Sequence, residues 1–330
     1  MKQLLPFVTL ATVAVLSGCG GGSPTSAPVP NALRQAAQAA GATKLHRSGI
    51  YVVAEGSSSG QAIFGYSARN RDNNPPICTV SGVPTASGIG VDQEGDLVVG
   101  VNGSTAKILV FGGPNMCGPQ VGSFTDPYGQ PDDIAAKDAV NGKILVANVF
   151  DGTQKSLSPG SISVCTMAGG CSANLTNPAM NEVFGVATDA HGNCWASATN
   201  TSETATLTFF KRCAGAGQSA TGFLNPYPGG LDFDASGNLV SLSFHDGSMY
   251  VYRGCKPTCM KVAGPLLLRG TTTFAHLNKR STELIAADFY NFRIDVYAYT
   301  PTQLTFKYDF DNGISYDPIN GVAVNPPSKR

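Results

Sequence analysis

Charged residues are scarce in this 330-residue chain. Asp, Glu, Lys and Arg account for 13% of it, about half the usual share, and the 22 basic side chains balance the 22 acidic ones. Nucleic acid is therefore not an expected partner, because phosphate binding requires a basic patch. Long apolar stretches with a helical period are also missing, and there is a single Trp. What the chain has instead is 39 Gly and 21 Pro, which predict many turns.

The N-terminus has the layout of a secretory signal. Lys2 precedes an apolar run from Leu4 to Leu16, which is shorter than the roughly 20 residues of a membrane-spanning helix. Leu16-Ser-Gly-Cys19 resembles the lipobox of bacterial lipoproteins. The resemblance implies cleavage after residue 18, lipidation of Cys19 with palmitate among the acyl chains, and a membrane anchor. Gly20 is compatible with sorting to the outer membrane. The alternative is an ordinary signal peptide with a coincidental cysteine.

Residues 19–43 are expected to form a flexible tether. Gly, Ser and Pro dominate its first part, and such a composition cannot build a core. A folded domain is predicted over residues 44–330, outside the cytoplasm.

Eight of the nine cysteines remain once Cys19 is assigned to the lipid. An even number in an exported chain predicts four disulfides. Three pairs follow from spacing along the sequence, and the fourth follows only by elimination: Cys165–Cys171, Cys255–Cys259, Cys194–Cys213 and, last, Cys78–Cys117. A metal cluster is the competing interpretation, but no Cys-x-x-Cys occurs and no His lies beside these cysteines.

A repeat of about 45 residues runs through the predicted domain. Asp92-Gln-Glu-Gly-Asp-Leu-Val-Val recurs as Asp189-Ala-His-Gly-Asn-Cys-Trp-Ala and as Asp234-Ala-Ser-Gly-Asn-Leu-Val-Ser. With weaker copies, the anchors fall at residues 92, 138, 189, 234, 278 and 325. Each Asp-x-x-Gly suits a tight turn between two short strands. Four antiparallel strands per repeat predict a β-propeller.

The two ends of the domain are complementary. The last repeat has a first strand at Asn320 to Val324 and then stops, whereas the N-terminal region offers strands two to four without a first one. Together they predict a shared sixth blade that closes the ring of an all-β, six-bladed propeller. A pair of β-sandwiches with accidental periodicity is the alternative.

One repeat carries a family resemblance. Glu283-Leu-Ile-Ala-Ala-Asp-Phe-Tyr-Asn-Phe-Arg-Ile-Asp-Val-Tyr resembles an NHL repeat, and Lys107-Ile-Leu-Val-Phe is a looser match. The domain is thus similar to NHL-type propellers and to the broader gluconolactonase-like group. That resemblance implies a site at the mouth of the central channel, where a divalent metal is held by Glu, Asn and Asp.

The residues at that mouth can be counted from the repeat. Five positions before each anchor stand Ser87, Asp133, Phe184, Gly229, Thr273 and Asn320. The oxygen ligands that could hold Ca²⁺ or Zn²⁺ there are Asp132, Asp133, Asn320 and Glu182, fewer than the six to eight oxygens that Ca²⁺ takes. The sequence therefore predicts no cofactor other than this candidate divalent cation.

Catalytic signatures are absent from the sequence. No Ser stands in an identifiable nucleophile turn between a strand and a helix, His191 and His245 fall in predicted exposed turns, and His276 is expected to pack between blades. The strand aromatics, such as Tyr252 and Tyr297, are interpreted as core. The sequence thus favours a binding module for an envelope protein, a small molecule or a carbohydrate over an enzyme. A metal-dependent lactonase-like hydrolase and a structural envelope scaffold are the alternatives.

Overall fold

The computed structural model describes residues 49–54, 62–83, 85–92, 95–112, 117–136, 142–150, 159–314 and 318–326. The predicted signal segment, the tether and Cys19 lie outside these residues. Within them the regular secondary structure is β-strand apart from one 3-10 turn at Lys211–Cys213. No helix of the described part is long and apolar enough to cross a membrane.

Twenty-four strands follow one another along the described chain. In order they are β1 Gly49–Ala54, β2 Ala62–Ser67, β3 Cys78–Ser81, β4 Ala86–Val91, β5 Leu97–Val101, β6 Lys107–Phe111, β7 Gln120–Thr125, β8 Pro131–Ala135, β9 Lys143–Asn148, β10 Ser161–Thr166, β11 Gly170–Leu175, β12 Glu182–Thr188, β13 Cys194–Thr199, β14 Ala205–Phe210, β15 Gln218–Ser219, β16 Pro228–Phe233, β17 Leu239–Ser243, β18 Ser248–Arg253, β19 Met260–Leu267, β20 Thr272–Leu277, β21 Glu283–Asp288, β22 Arg293–Thr300, β23 Gln303–Phe310 and β24 Ile319–Asn325.

The strands form six antiparallel four-stranded sheets. Five sheets are consecutive in sequence, β4 to β7, β8 to β11, β12 to β15, β16 to β19 and β20 to β23. The sixth has the order β24-β1-β2-β3, so the last strand of the chain completes the first sheet. Val52 of β1 stands opposite Val322 of β24 in that closure. The first strands of neighbouring sheets pack on one another around a complete ring. The domain is a six-bladed β-propeller, as the repeat predicts; we number the blades one to six, starting from the closing sheet.

The predicted turns owe their shape to local hydrogen bonds. In blade four, the Asp189 carboxylate accepts hydrogen bonds from the amides of His191 (2.8 Å) and Asn193 (2.9 Å). Gly192 has a φ of 72°, a value that glycine adopts without strain. Asp234 accepts from the Asn238 amide in the same way in blade five. The Asp-x-x-Gly pattern therefore specifies its turn by itself.

Small residues let the first strands approach each other at the centre. A Cβ on Gly88 would lie 2.6 Å from the carbonyl oxygen of Asp132 in the next blade. A Cβ on Gly185 would likewise collide with the backbone of Gly229. Glycine at these positions therefore sets the narrow radius of the ring.

Apolar side chains fill the spaces between blades. Trp195 is 1% exposed and packs at 4.9 Å, between ring centroids, on Phe209 of its own blade and on Phe233 of the next. Tyr252 and Tyr297 are also buried, which confirms that the strand aromatics belong to the core.

All four predicted disulfides are confirmed. The structure pairs Cys78 with Cys117, Cys165 with Cys171, Cys194 with Cys213 and Cys255 with Cys259. Such a set is compatible with an exported protein.

Candidate functional site

A cavity of about 170 Å³ opens at one end of the central channel. A residue near the start of every first strand lies in its wall, so all six blades contribute to it. Its lining consists of Ser87, Asp132, Phe184, Gly229, Phe244, Thr273, Phe274, Phe289 and Asn320. We call it the mouth cavity.

Five of the six positions counted from the repeat line this cavity, and the sixth is displaced by one residue. In blade three Asp132, not Asp133, lines the wall. The cause is the turn between the first two strands. Gly90 pairs with Val98 in blade two, eight residues away, whereas Ala135 pairs with Leu145 in blade three, ten residues away. Because this connection is longer, counting back five residues from the anchor at 138 reaches Asp133 and not Asp132. Neighbouring residues in a strand point to opposite faces, so the count selects the residue on the wrong face.

Asp132 is the one carboxylate among the described residues that line the mouth cavity. Burial raises the pKa of its carboxyl to about 7, with a further contribution from the neighbouring Asp133. A hydrogen bond from Ser87 opposes part of that rise. Thr273 and Asn320 extend this polar wall. The group can therefore accept or release a proton near neutral pH.

Asp133 links two neighbouring blades through hydrogen bonds to backbone amides. Its two carboxylate oxygens accept hydrogen bonds from the amides of Ile134 (2.8 Å) and, across to the next blade, Val186 (3.0 Å). Burial raises its pKa to about 6, against the lowering effect of His276. Asp232 makes the equivalent link to the Leu277 amide at 2.9 Å. These two carboxylates join adjacent blades, and neither lines the mouth cavity.

The channel narrows below the mouth. The space at this narrow part is about 20 Å³, enough for about one water molecule. Mainly aliphatic residues line it, such as Ile134 and Leu231. His276 also lies in this wall, with Nδ1 3.5 Å from Asp232. His276 therefore packs between blades five and six, as expected, and it also borders the channel.

Phe184, Phe244 and Phe289 form an aromatic part of the cavity wall, and Tyr227, which is not a lining residue, contacts the first two of them. Phe184 lies 5.6 Å from Tyr227, Tyr227 lies 6.4 Å from Phe244, and Phe244 lies 6.2 Å from Phe289, all between ring centroids. All four rings are only partly buried, unlike the aromatics of the blade cores. The cavity thus has a polar side from blades one, two, three and six and an aromatic side from blades four, five and six.

Sequence reasoning missed Phe244 and Phe289 as site residues. Each directly follows the second strand of its blade, after Ser243 in β17 and after Asp288 in β21. The same position holds Asn102, Val149 and Asn200 in blades two, three and four, so the repeat does not mark it as aromatic. Tyr227 sits in the connection before β16 and has no counterpart that the repeat would reveal.

The donor set does not fit the divalent metal that the gluconolactonase-like resemblance implies. Asp133 gives its oxygens to backbone amides, and Glu182 accepts the Thr199 hydroxyl at 3.3 Å and does not line the cavity. Asp132 is left with hydroxyl and amide groups, too few oxygens for Ca²⁺. In the described part of the chain one cluster has metal-ligand spacing, Asp126 with Cys165 and Cys171, and those cysteines form a disulfide.

The predicted positions of two histidines are confirmed. His191 and His245 are both exposed in turns. His191 belongs to the opposite end of the ring, beside Asp189, whereas His245 lies at the mouth, 4.0 Å from the Tyr227 ring.

No protein-family profile matches the chain, and no curated protein matches its sequence. Solved structures do match. The periplasmic gluconolactonase of Pseudomonas aeruginosa is 12% identical with a TM-score of 0.58, over 85% of this chain and 99% of that one. A putative 6-phosphogluconolactonase of Bacteroides fragilis is 13% identical with a TM-score of 0.56, over 86% and 99%. This chain shares their β-propeller fold.

A third similar structure is a virginiamycin B lyase of Staphylococcus aureus. It is 12% identical with a TM-score of 0.52, over 83% of this chain and 87% of that one. The similar folds therefore include both lactonase-like and lyase propellers. At such identities the likeness extends to the fold alone, and function has to be argued from the site.

Proposed function

We propose that the mouth cavity binds one uncharged ring of monosaccharide size. The observation that carries the proposal is the division of the cavity into an aromatic wall with Phe184, Phe244 and Phe289 and a polar wall with Asp132 and Asn320. A pyranose or a related lactone has CH groups on its faces, which pack on aromatic rings, and hydroxyls at its edge, which donate to a carboxylate. About 170 Å³ is below the roughly 300–1,000 Å³ of drug-sized pockets, so a single ring fits.

Charge argues against a phosphorylated ligand. Among the described residues that line the cavity none is Lys or Arg, and Asp132 adds a negative charge above pH 7. Burial raises the pKa of the Tyr227 hydroxyl near the cavity, and the charges of Glu182, Glu203 and Asp132 raise it further. A phosphate would meet this negative field without a partner.

Binding of glucose, measured by isothermal titration calorimetry at pH 8, tests the proposal. Phe244→Ala should lower the affinity about 2- to 12-fold, because ring contacts contribute about 0.5–1.5 kcal/mol. Asp132→Asn should lower it at least tenfold, because hydrogen bonds to a charged group are worth about 1.5–3 kcal/mol.

Two matched variants serve as controls for that titration. Phe306→Ala removes an aromatic ring that is 40% exposed on the outer strand β23, and Asp72→Asn removes an exposed carboxylate. Both should bind as the unaltered protein does. Equal losses in Phe306→Ala and Phe244→Ala, or binding of glucose 6-phosphate in preference to glucose, would contradict the proposed site.

Lactone hydrolysis is the second candidate function, favoured by the pKa of Asp132 near 7. In that role the Asp132 carboxylate takes a proton from water while the water oxygen attacks the lactone carbonyl. The ring C–O bond then breaks, and the proton passes to the leaving hydroxyl, which gives the open-chain acid. Hydrolysis of glucono-δ-lactone above the spontaneous rate, reduced about 100-fold or more in Asp132→Asn, supports it. Binding without turnover leaves the protein a binding module.

We further infer that the chain is exported and anchored through a lipid on Cys19 in the outer membrane. The support is the lipobox-like Leu16-Ser-Gly-Cys19 and the pairing of the other eight cysteines. In that location the propeller would serve as a scaffold for another protein of the cell envelope. Cys19→Ala should abolish incorporation of radiolabelled palmitate and release the protein from membranes. Cys78→Ala is the control and should still incorporate palmitate. Labelling that persists in Cys19→Ala would contradict the inference.

A further inference from the structure

The two ends of the ring carry charges of opposite sign in blades four to six, although the chain as a whole is neutral. In these blades the turn between the first two strands and the turn between the last two lie opposite the mouth cavity. We call this the basal end; it consists here of residues 189–193, 211–217, 234–238, 253–259, 278–282 and 301–302. Six exposed basic side chains lie on it: Lys211, Arg212, Arg253, Lys256, Lys279 and Arg280.

Contacts between blades join these turns into one surface. Lys256 of blade five reaches the turn of blade four, where its Nζ lies 2.6 Å from the Asp189 carboxylate. The Ala235 amide of blade five donates a hydrogen bond to the Ser281 hydroxyl of blade six at 2.9 Å. The basic side chains of the three blades therefore belong to one continuous surface.

Acidic side chains at the basal end of these blades are buried or paired. Asp189 and Asp234 are 6% and 3% exposed, and both accept hydrogen bonds from amides of their own turns. Glu283, at the start of β21, forms an ion pair with Lys307. Among the described residues, Lys256 is the one of the six bases that has an ion-pair partner. The exposed surface of the basal end is therefore basic.

The mouth end of the same three blades has the opposite sign. Glu203 and Asp246 are exposed there, and Glu182 is half-buried. The two arginines at this end, Arg269 and Arg293, are held in ion pairs with carboxylates. An anionic surface therefore attracts the basal end and repels the mouth.

The chain enters the ring at the basal end. Gly49, the first residue of β1, stands opposite Asn325, the last residue of β24, whereas Asn320 at the other end of β24 lines the mouth cavity. Gly49 follows Cys19 by 30 positions. A flexible tether of that length, as the sequence predicts, has a mean reach of roughly 30 Å. A lipid on Cys19 therefore holds the basal end closer to the bilayer than the mouth.

We propose that the basal end of blades four to six docks on the anionic phospholipid headgroups of the membrane that holds the lipid of Cys19, so that the mouth cavity opens away from the bilayer. The proposal rests on the lipid anchor proposed above. Two independent observations carry it, because the placement of the basic side chains does not depend on where the chain enters the ring. Each Lys or Arg near an anionic bilayer contributes about fivefold to the affinity.

Nucleic acid is the other polyanion that a basic surface binds. The four disulfides argue against it, because they are compatible with a compartment outside the cytoplasm. The lipid argues against it as well. An attached lipid raises the effective concentration of headgroups beside the basal end, and it does nothing of the kind for a nucleic acid.

Energy transfer from tryptophan to a dansyl-labelled phospholipid tests the proposal. Trp195 is the single Trp of the chain, and the Nζ of the basal residue Lys256 lies 5.2 Å from the centre of its ring. Purified full-length protein is added to vesicles of phosphatidylcholine, with or without phosphatidylglycerol, and transfer is measured on the vesicle-bound fraction. Transfer should be stronger with phosphatidylglycerol. This surplus should be lost at about 1 M salt, where screening shortens the range of exposed charges to about 3 Å.

Variants at the two ends sharpen the measurement. Lys279→Glu combined with Arg280→Glu should shift the docking equilibrium about 25-fold or more toward the undocked state and abolish the surplus transfer. Lys107→Glu reverses a charge at the mouth end of blade two and should retain it. These side chains are exposed, so the variants should fold normally, which circular dichroism checks. Trp195→Phe combined with Tyr290→Trp moves the reporter to a mouth turn and should weaken the transfer.

The outcomes separate the docking surface from the anchor on which it rests. Palmitate labelling of Cys19 together with equal transfer in both kinds of vesicle overturns the docking and leaves the anchor standing. Surplus transfer without labelling supports the basic surface and overturns the anchor. Surplus transfer that survives in Lys279→Glu/Arg280→Glu, or transfer that is stronger from the mouth reporter, overturns the proposed orientation. A DNA duplex that abolishes the transfer at equal phosphate concentration overturns the membrane as the occupant.

Discussion

Asp132→Asn is expected to stabilise the propeller by about 2–3 kcal/mol at pH 8 and to leave its stability unchanged at pH 4. The folded protein raises the pKa of this carboxyl from 3.8 to about 7, so between these values the native state binds more protons than the unfolded state. Stability from this group is therefore fully present below pH 4 and is lost as the pH rises through 7. A tenfold change in proton affinity corresponds to about 1.4 kcal/mol. The expected effect is smaller than the full pKa difference implies, because the side chain is partly accessible from the cavity.

Urea denaturation at pH 4, 6 and 8 provides the measurement. The difference between variant and unaltered protein reports Asp132 together with its interaction with Asp133, since other buried carboxyls with a raised pKa, such as Asp126 and Asp295, are common to both. The exposed Asp72→Asn should show less than about 0.5 kcal/mol at every pH. A destabilised Asp132→Asn at pH 8 would mean that the charged form is favoured in the folded protein. Loss of ligand binding alongside a gain in stability is the trade-off typical of functional sites.

Deletion of residues 319–330 is expected to prevent folding. It removes β24, whose side chains Ile319, Val322 and Val324 are each at most 7% exposed. Burial of such side chains contributes about 1.5–3 kcal/mol each, so the loss approaches the whole stability of a typical domain. The deletion also leaves β1 as an unpaired strand edge next to the channel, which favours aggregation.

Size-exclusion chromatography and thermal melting followed by circular dichroism would reveal this loss. Deletion of residues 327–330 alone, which follow β24, is the matched control and should melt as the full chain does. If the protein without β24 is monomeric and melts cooperatively, folding of the propeller does not require closure of the ring by β24.

Much of the fold is predictable because its signals are local. Asp189 and Gly192 specify a turn through bonds within five residues of sequence, and the same chemistry recurs in other blades. The number of repeats then gives six blades, and the incomplete blades at the two ends give the ring closure. The even number of cysteines left after Cys19 gives the four disulfides. Pairing Cys78 with Cys117 needed only elimination, although the two lie 39 residues apart.

Less of the candidate site than of the fold could be predicted from the sequence. The repeat gave five residues of the mouth cavity, but Asp132 and Asp133 are neighbours in one strand and the count chose the wrong one for the wall. Which carboxyl faces the cavity depends on strand pairing across a turn of altered length, and neither residue alone reveals that. The raised pKa of Asp132 has the same origin, since it comes from burial among several blades.

The sequence by itself determined the six-bladed propeller, the shared closing blade and the disulfides, because turns, strand alternation and cysteine spacing act over short stretches of chain. The tertiary structure alone decided that Asp132 lines the mouth and that Asp133 joins two blades. It also placed Phe184, Tyr227, Phe244, Phe289 and Tyr290 in one row. These residues come from three blades, and only the curvature of the ring brings such distant segments to one opening.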